Sequence, residues 1–320
     1  MNTQGISLRL SVTDSCQLRC RYCRSADDSE RVATRPLPSD DLLLMVHLIH
    51  ETRGISVLRF TGGEPLLRRD LVGLVAACRT MGIPDIALTT NAQRLAARAV
   101  QLQSVGLQRL NVSLDSLDER TFAMITRGGT LRDSLGGIEA AKNAGICPVK
   151  LNMVVMGGVN DHEVAQMLDF GIRNECHVRF LELMPIGVAA GEFDHHFVPW
   201  GEVHTHLLAS GFRLTPLACE PGATSRNYVA MNRDGRTTIC GFISPSSKPF
   251  CGGCRRLRLT ADGRLLGCLA CRRQVNLLPF LDNDRQEMGV RVARAVDEAL
   301  QMKRLEHRLA EQRNMAYIGG

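Results

Sequence analysis

The 320-residue chain is poor in aromatic side chains, which make up 4% of it and include a single Trp. That scarcity removes the stacked platform on which single strands of nucleic acid are bound. No apolar run approaches the ~18 residues that cross a bilayer, and the N-terminus has no basic-then-apolar build of a secretion signal. The chain is therefore expected in the cytoplasm, with no membrane contact and no nucleic-acid partner. A strong excess of one charge is missing too. The 39 Lys and Arg against 33 Asp and Glu leave +6, which favours an anionic ligand only where the cations are gathered. No internal repeat or low-complexity tract stands out. Hydrophobic residues at 44% and charged ones at 22% describe an ordinary globular protein. The length allows one large α/β domain, or a barrel with a smaller companion.

Cysteine, by contrast, is abundant, with twelve in the chain. In a reducing compartment these are not expected to be disulfides, and clustered ones point to metal or redox chemistry.

Short apolar segments recur at Leu8–Val12, Val57–Thr61, Asp85–Thr90, Arg109–Leu114, Val149–Val155 and His177–Met184. Between them lie stretches of helical spacing at Asp40–Arg53, Arg69–Met81, Gln93–Val105, Leu131–Ala144 and Asp161–Glu175. This alternation predicts parallel strands with crossover helices, as a partial (β/α)6 barrel or a doubly wound sheet. The rhythm stops near residue 215. Beyond Pro216 the text is loop-rich, then Arg256–Cys268 reads as a hairpin with a two-residue turn at Asp262-Gly263. A long helix over Asp284–Gln312 follows, and its balanced charges read as a solvated face.

Cys16, Cys20 and Cys23 stand in C-x3-C-x2-C spacing in the loop after the first strand, at the end where β/α barrels build active sites. Three thiolates so close can hold three corners of a [4Fe–4S] cube and leave one iron open. The alternative is a zinc knuckle, but structural zinc takes four ligands, and the next cysteine is Cys78. A second group, Cys251, Cys254, Cys268 and Cys271, has C-x2-C-x13-C-x2-C spacing. Read by spacing alone, it is a zinc ribbon as readily as a cluster site.

The strands also carry cations where a sheet buried on both faces should be oily. These are Arg9, Arg59, Lys150 and Arg179, each between apolar neighbours. An unpaired buried charge costs several kcal/mol. Alternation places each of the four on the face opposite its neighbours, so all four can point into a lumen that takes a polyanion such as a nucleoside triphosphate. The competing reading pairs them with Glu64, Asp115 and Glu182.

Tyr22 before the last cysteine of the triplet, with Gly62-Gly63-Glu64-Pro65 ending the second strand, resembles the radical S-adenosylmethionine (SAM) superfamily. The glycines of that segment would let carbonyls approach a bound ammonium group. More narrowly, Phe250-Cys251-x-x-Cys254-x-Arg256-x-Arg258-Leu259, Asp262-Gly263 and Gly267-Cys268-Leu269 are similar to the C-terminal motif of the GTP 3′,8-cyclase family. Further matches run in the same order along nearly the whole chain, through Thr89-Thr90-Asn91, Asn111-x-Ser113-Leu114-Asp115 and Arg179-Phe180-x-Glu182-x-Met184-Pro185.

The resemblance implies a radical SAM partial barrel over residues 1–215 and a cluster-binding domain over 216–320. It implies two [4Fe–4S] clusters, one on Cys16, Cys20 and Cys23, the other on Cys251, Cys254 and Cys268. Tyr22, Gly63, Ser113 and Met184 carry over as SAM contacts. Arg9, Arg59, Thr89, Lys150, Arg256, Leu257 and Arg258 carry over as GTP contacts, and Arg179 as an active-site cation. The Gly319-Gly320 tail resembles the family's C-terminal di-glycine, which reaches into the active site. The implied reaction opens with a 5′-deoxyadenosyl radical taking hydrogen from C3′ of GTP, after which C3′ joins C8 of guanine. Implied partners are a second copy of the chain, a flavodoxin or ferredoxin as electron donor, and cyclic pyranopterin monophosphate synthase to receive the product. Two rivals stand beside this reading: a radical SAM peptide maturase with an auxiliary cluster, and a non-enzymatic zinc protein. Departures from the family pattern are Cys271, Arg24-Ser25 in place of Met-Pro, and Ala92 in place of glycine.

Overall fold

The computed structural model describes residues 5–25, 35–219, 222–250, 253–269, 273–281 and 284–305. The expected alternation is present. In chain order come β1 (Ile6–Ser11), α1 (Ser39–Arg53), β2 (Ile55–Thr61), α2 (Leu71–Thr80), β3 (Ile86–Thr90), α3 (Ala99–Ser104) and β4 (Arg109–Ser113). Then follow α4 (Glu119–Thr126), α5 (Leu131–Asn143), β5 (Val149–Val155), α6 (Val164–Arg173), β6 (His177–Glu182), α7 (Phe193–His196) and α8 (Trp200–Ala209). The remainder holds β7 (Arg213–Pro216), β8 (Arg226–Met231), β9 (Thr237–Ile243), β10 (Arg256–Leu259), β11 (Arg264–Leu266), β12 (Val275–Asn276) and α9 (Arg285–Leu305).

All these strands join one sheet in the order β12-β11-β10-β1-β2-β3-β4-β5-β6-β9-β8-β7. From β10 through β1–β6 to β9 every neighbouring pair is parallel, and antiparallel hairpin strands flank both ends. The sheet therefore runs unbroken across residue 215, and β7 itself spans that point. The period-2 burial behind the strand reading is clear in β1, where Ile6, Leu8 and Leu10 are fully buried and Ser7 and Arg9 face the other way. The apolar face packs under the helices in a core that includes Leu58 and Phe60 of β2, Leu151 and Met153 of β5, and Met45 and Ile49 of α1.

Several elements differ from expectation for local reasons. The helix read from Gln93 begins only at Ala99; residues 93–98 run as turns, and the Gln93 side-chain amide donates across to Thr130 O and Ser134 Oγ. Just before it, Ala92 sits at φ +63°, a left-handed conformation that a Cβ makes costly by about 1–2 kcal/mol. Helix α4 was not legible, being short, yet it is properly capped: the Asp118 carboxylate accepts from Thr121 N at 2.8 Å. The β10–β11 connection is four residues, Thr260 to Gly263, and not the two-residue turn expected. Helix α9 is not merely a solvated face. Val292, Val296 and Ala299 are fully buried, and Asp297 takes a forked pair of bonds from Arg53 of α1 at 2.6 and 2.9 Å.

Because α4 holds the cysteine loop from beneath (below), its cap has a measurable role. Asp118→Ala is expected to lower the denaturant midpoint of unfolding, with Asp118→Asn near neutral. Denaturant titration checks this; an Ala variant as stable as the parent would contradict it.

Candidate active site

The C-terminal ends of the parallel strands surround one cavity of about 730 Å³. Its wall takes Arg9 from β1, Arg59 and Thr61 from β2, Thr89 from β3, Ser113 from β4, Asn152 from β5, Arg179 from β6, Ile243 from β9, and Arg256 and Arg258 from β10. Adjacent strands lie about 4.8 Å apart, so eight of them reach a common space only if the sheet curls around it. Both cysteine groups open on this space: Cys16, Cys20 and Cys23 on one hand, Cys254 and Cys268 on the other.

The cysteine loop is splinted by the Gly-Gly-Glu segment. Gly63 N donates to Thr13 O and Glu64 N to Ser15 O, both at 2.7 Å. A Cβ on Gly63 would lie 2.4 Å from Ser15 O, and one on Gly62 would lie 2.4 Å from Thr13 O. Glycine is thus required there by the loop's own backbone, in addition to any approach to a ligand. Glu64 then ties this splint to the end of β3, its carboxylate accepting from Thr90 Oγ1, Asn91 N and Leu66 N. On the other side, Arg19 N and Arg21 N donate to Thr126 O and Ile125 O at the end of α4. Arg24, the departure after the triplet, is buried and folds back to donate to the Asp14 carbonyl.

Tyr22 is oriented by a buried acid: its hydroxyl donates to Asp115 Oδ2 at 2.7 Å, and Val154 N donates to Oδ1 at 2.8 Å. Burial pushes Asp115 up to about 6 in spite of those bonds. Burial also raises Cys16 to about 11, and burial with the Asp115 charge raises Cys20 well above an ordinary thiol. Such thiols give up their protons when a metal cation takes the place of the proton. Cys254 is different. Burial alone would raise it, but the charges of Arg256 and Lys303 outweigh that, and its thiol lies below the usual range. Among the described residues no three Cys, His or carboxylate side chains converge on one point as a single ion needs. The first triplet offers three thiolates, one fewer than a structural zinc takes, and three suit a cluster that meets each thiolate at its own corner.

The arginines form a row. In register, Arg9 of β1 neighbours Arg59 of β2 on one side and Arg258 of β10 on the other. Burial first, then Arg59 and Arg256, push Arg9 down to about 9; burial first, then Arg179, pushes Arg59 down to about 10. Burial, then Arg9, holds Arg258 well below its ordinary value too. The acids weighed as partners are engaged elsewhere: Glu64 and Asp115 as above, and Glu182 with Trp200 N, Ser246 N and Ser247 N. Among the described residues no ion pair joins Arg9, Arg59, Lys150 or Arg179 to an acid. Arg59 Nε, Asn152 Oδ1 and Ser246 Oγ are buried without a hydrogen-bond partner, and all three residues line the cavity. Unsatisfied polar atoms on a cavity wall are what a polar ligand repays.

Tyr22, Gly63, Ser113, Met184, Thr89, Arg179, Arg256 and Arg258 all lie on the wall. Lys150 does not; it shares a face of β5 with Asn152 and Val154 but lies one pleat nearer the strand's start. Burial, then Arg179 and Arg109, pushes it down to about 8. The Leu257 side chain points into the core and is fully buried there, so only its backbone can face a ligand. Cys251, Cys271, Gly319 and Gly320 lie outside the described residues. Sequence reasoning missed Arg24, Ser246 and Lys303 as wall residues. It also missed that Phe250 holds the Arg256 guanidinium over its ring, 4.9 Å from the centroid.

Comparison with known proteins accords with this geometry. Residues 10–171 match the Radical SAM superfamily, and residues 176–309 match Molybdenum Cofactor Synthesis C. A GTP 3′,8-cyclase of Heliobacterium modesticaldum is 40% identical over 320 residues, covering 98% of this chain and 97% of that protein. The chain belongs to the GTP 3′,8-cyclase family. A second member, from Pelotomaculum thermopropionicum, is also 40% identical, with 98% and 97% covered. Among solved structures, Streptococcus suis SuiB bound to S-adenosylmethionine superposes with a TM-score of 0.62 over 90% of this chain and 68% of that one. At 16% identity that likeness concerns the fold alone.

For a family member built this way, Gly63→Ala is expected to displace the cysteine loop, since the added Cβ meets backbone and not a flexible side chain. Iron bound after anaerobic reconstitution should fall by about half, with the C-terminal cluster site untouched. Full iron content in the variant would contradict the splint.

Proposed function

We propose that the chain is a radical SAM cyclase that converts GTP to (8S)-3′,8-cyclo-7,8-dihydroguanosine 5′-triphosphate, the first step of molybdenum-cofactor biosynthesis. The observation that carries this reading is one cavity shared by two cysteine groups and a row of inward-facing, half-buried to buried arginines. In this reading Cys16, Cys20 and Cys23 hold the first [4Fe–4S] cluster, and Cys251, Cys254 and Cys268 hold the second. When bound, the first cluster with SAM supplies a 5′-deoxyadenosyl radical, and the second offers an open iron to the purine. The chain's own task is positioning. Tyr22, fixed by Asp115, with Gly63, Ser113 and Met184, orients SAM. Arg9, Arg59, Arg256 and Arg258, with Thr89, the backbone of Leu257, Lys150 one pleat deeper and Arg179, hold the nucleotide so that C3′ faces the radical carbon and C8 lies within reach of C3′.

The same reading takes residues 1–215 as a partial barrel and 216–320 as the cluster-binding part, with Gly319-Gly320 reaching the active site. It includes a homodimer, an electron donor of flavodoxin or ferredoxin type, hand-off to cyclic pyranopterin monophosphate synthase, and a cytoplasmic setting. Among the described residues no helix is long and apolar enough to cross a membrane. A peptide substrate, the rival within the superfamily, has no use for adjacent arginines on a cavity wall, whereas a triphosphate satisfies several at once.

Anaerobic reconstituted protein given GTP, SAM and dithionite should form 5′-deoxyadenosine and the cyclised nucleotide in step. Cleavage of SAM without a nucleotide product would overturn the assignment.

A further inference from the structure

Helix α9 does more than close the sheet. It crosses Gly267, the residue before Cys268, so tightly that a Cβ there would lie 2.2 Å from Ala299 O and 3.2 Å from Lys303 Cγ. One turn beyond Ala299, Lys303 enters the cavity wall beside Cys254 and Cys268. Its ammonium lies 3.2 Å from Cys254 Sγ and 3.3 Å from Cys254 O, and it also donates to Arg256 O. An ammonium has three protons to give, and these three acceptors use them. The two carbonyls hold the nitrogen against the sulfur and keep it from swinging toward a nucleotide.

This placement is costly, since the wall already carries Arg9, Arg256 and Arg258. Another cation is tolerated there where its charge meets an anion, and the nearest group able to become one is the Cys254 sulfur. We propose that Lys303 is a positioning residue for the second cluster: it donates a hydrogen bond to the Cys254 sulfur, draws electron density from that ligand, and so raises the cluster's reduction potential. Hydrogen bonds to ligating sulfurs act in this direction in iron–sulfur proteins generally. The same contact ties the sulfur to α9, whose middle is anchored on α1 through Asp297 and Arg53.

The inference rests on the two-cluster reading above, and the test separates them. Full-length wild type, Lys303→Met and Lys303→Arg are reconstituted anaerobically. Iron is quantified, and reductive titrations are followed by electron paramagnetic resonance. Lys303→Met should keep the first cluster's signal and show a second-cluster midpoint lower by about 59 mV or more, a tenfold change in the reduced-to-oxidised ratio for one electron. Lys303→Arg, which retains charge and donors, should stay near the wild type. Loss of the second cluster in the Met variant alone, with the first intact, also supports the role. An unmoved midpoint in the Met variant at full iron overturns the inference alone. Loss of the second cluster in both variants overturns it too, because the retained charge then does nothing. Wild type that takes up only one cluster's worth of iron overturns the two-cluster reading, and the inference with it.

Discussion

Three arginines side by side on the inner face of a parallel sheet are the constraint around which the rest is built. Arg59, Arg9 and Arg258 are neighbours in register on β2, β1 and β10, so their Cα atoms lie about 5 Å apart. Like charges placed directly opposite are destabilising, and burial adds the loss of solvation. Glu64, Asp115 and Glu182 are committed to holding loops instead, and no ion pair among the described residues joins Arg9 or Arg59 to an acid. The apolar core under the helices must therefore carry a lumen that is costly until an anion enters. Stability surrendered at a functional site in this way is a common feature of enzymes.

The second theme is how little of the cysteine loop is left to chance. Backbone bonds from Gly63 and Glu64 fix its start, α4 supports its middle, and Arg24 closes its end. Glu64 extends the splint to β3, and Asp115 extends it through Tyr22 to β4 and β5. The N-terminal cysteines are thus set by four neighbouring strands, not by the loop alone. At the other cysteine group the corresponding support comes from outside the sheet, from α9 through Gly267 and Lys303.

What was legible in the sequence was legible for physical reasons. A cation inside an apolar run breaks the expected pattern, so Arg9, Arg59 and Arg179 announced the lumen before any geometry was known. The cysteine spacings and the Gly-Gly-Glu-Pro segment did the same for the site, and the glycines have a further use in the packing of the loop backbone. Arg256 and Arg258, two apart on β10, both reach the cavity wall, while Leu257 between them points into the core by the same alternation. Lys303 was hidden because a helix of balanced charge looks solvated all round, and only tertiary packing shows which lysine turns inward. The strands β8 and β9 were hidden because Asn227, Thr237 and Thr238 interrupt their apolar alternation. The Gln93 side chain, just before the shortened α3, bonds across to the start of α5, a contact that local periodicity does not encode.

Arg9, at the centre of the row, is where the account is tested most directly. Equilibrium unfolding of the wild type and of Arg9→Met is compared with and without GTP. The account predicts that the variant without nucleotide is more stable than the wild type by about 1 kcal/mol or more, and that GTP stabilises the wild type but barely shifts the variant. A nucleotide-free variant less stable than the wild type would contradict it, because the row would then be holding the fold together and not waiting for an anion.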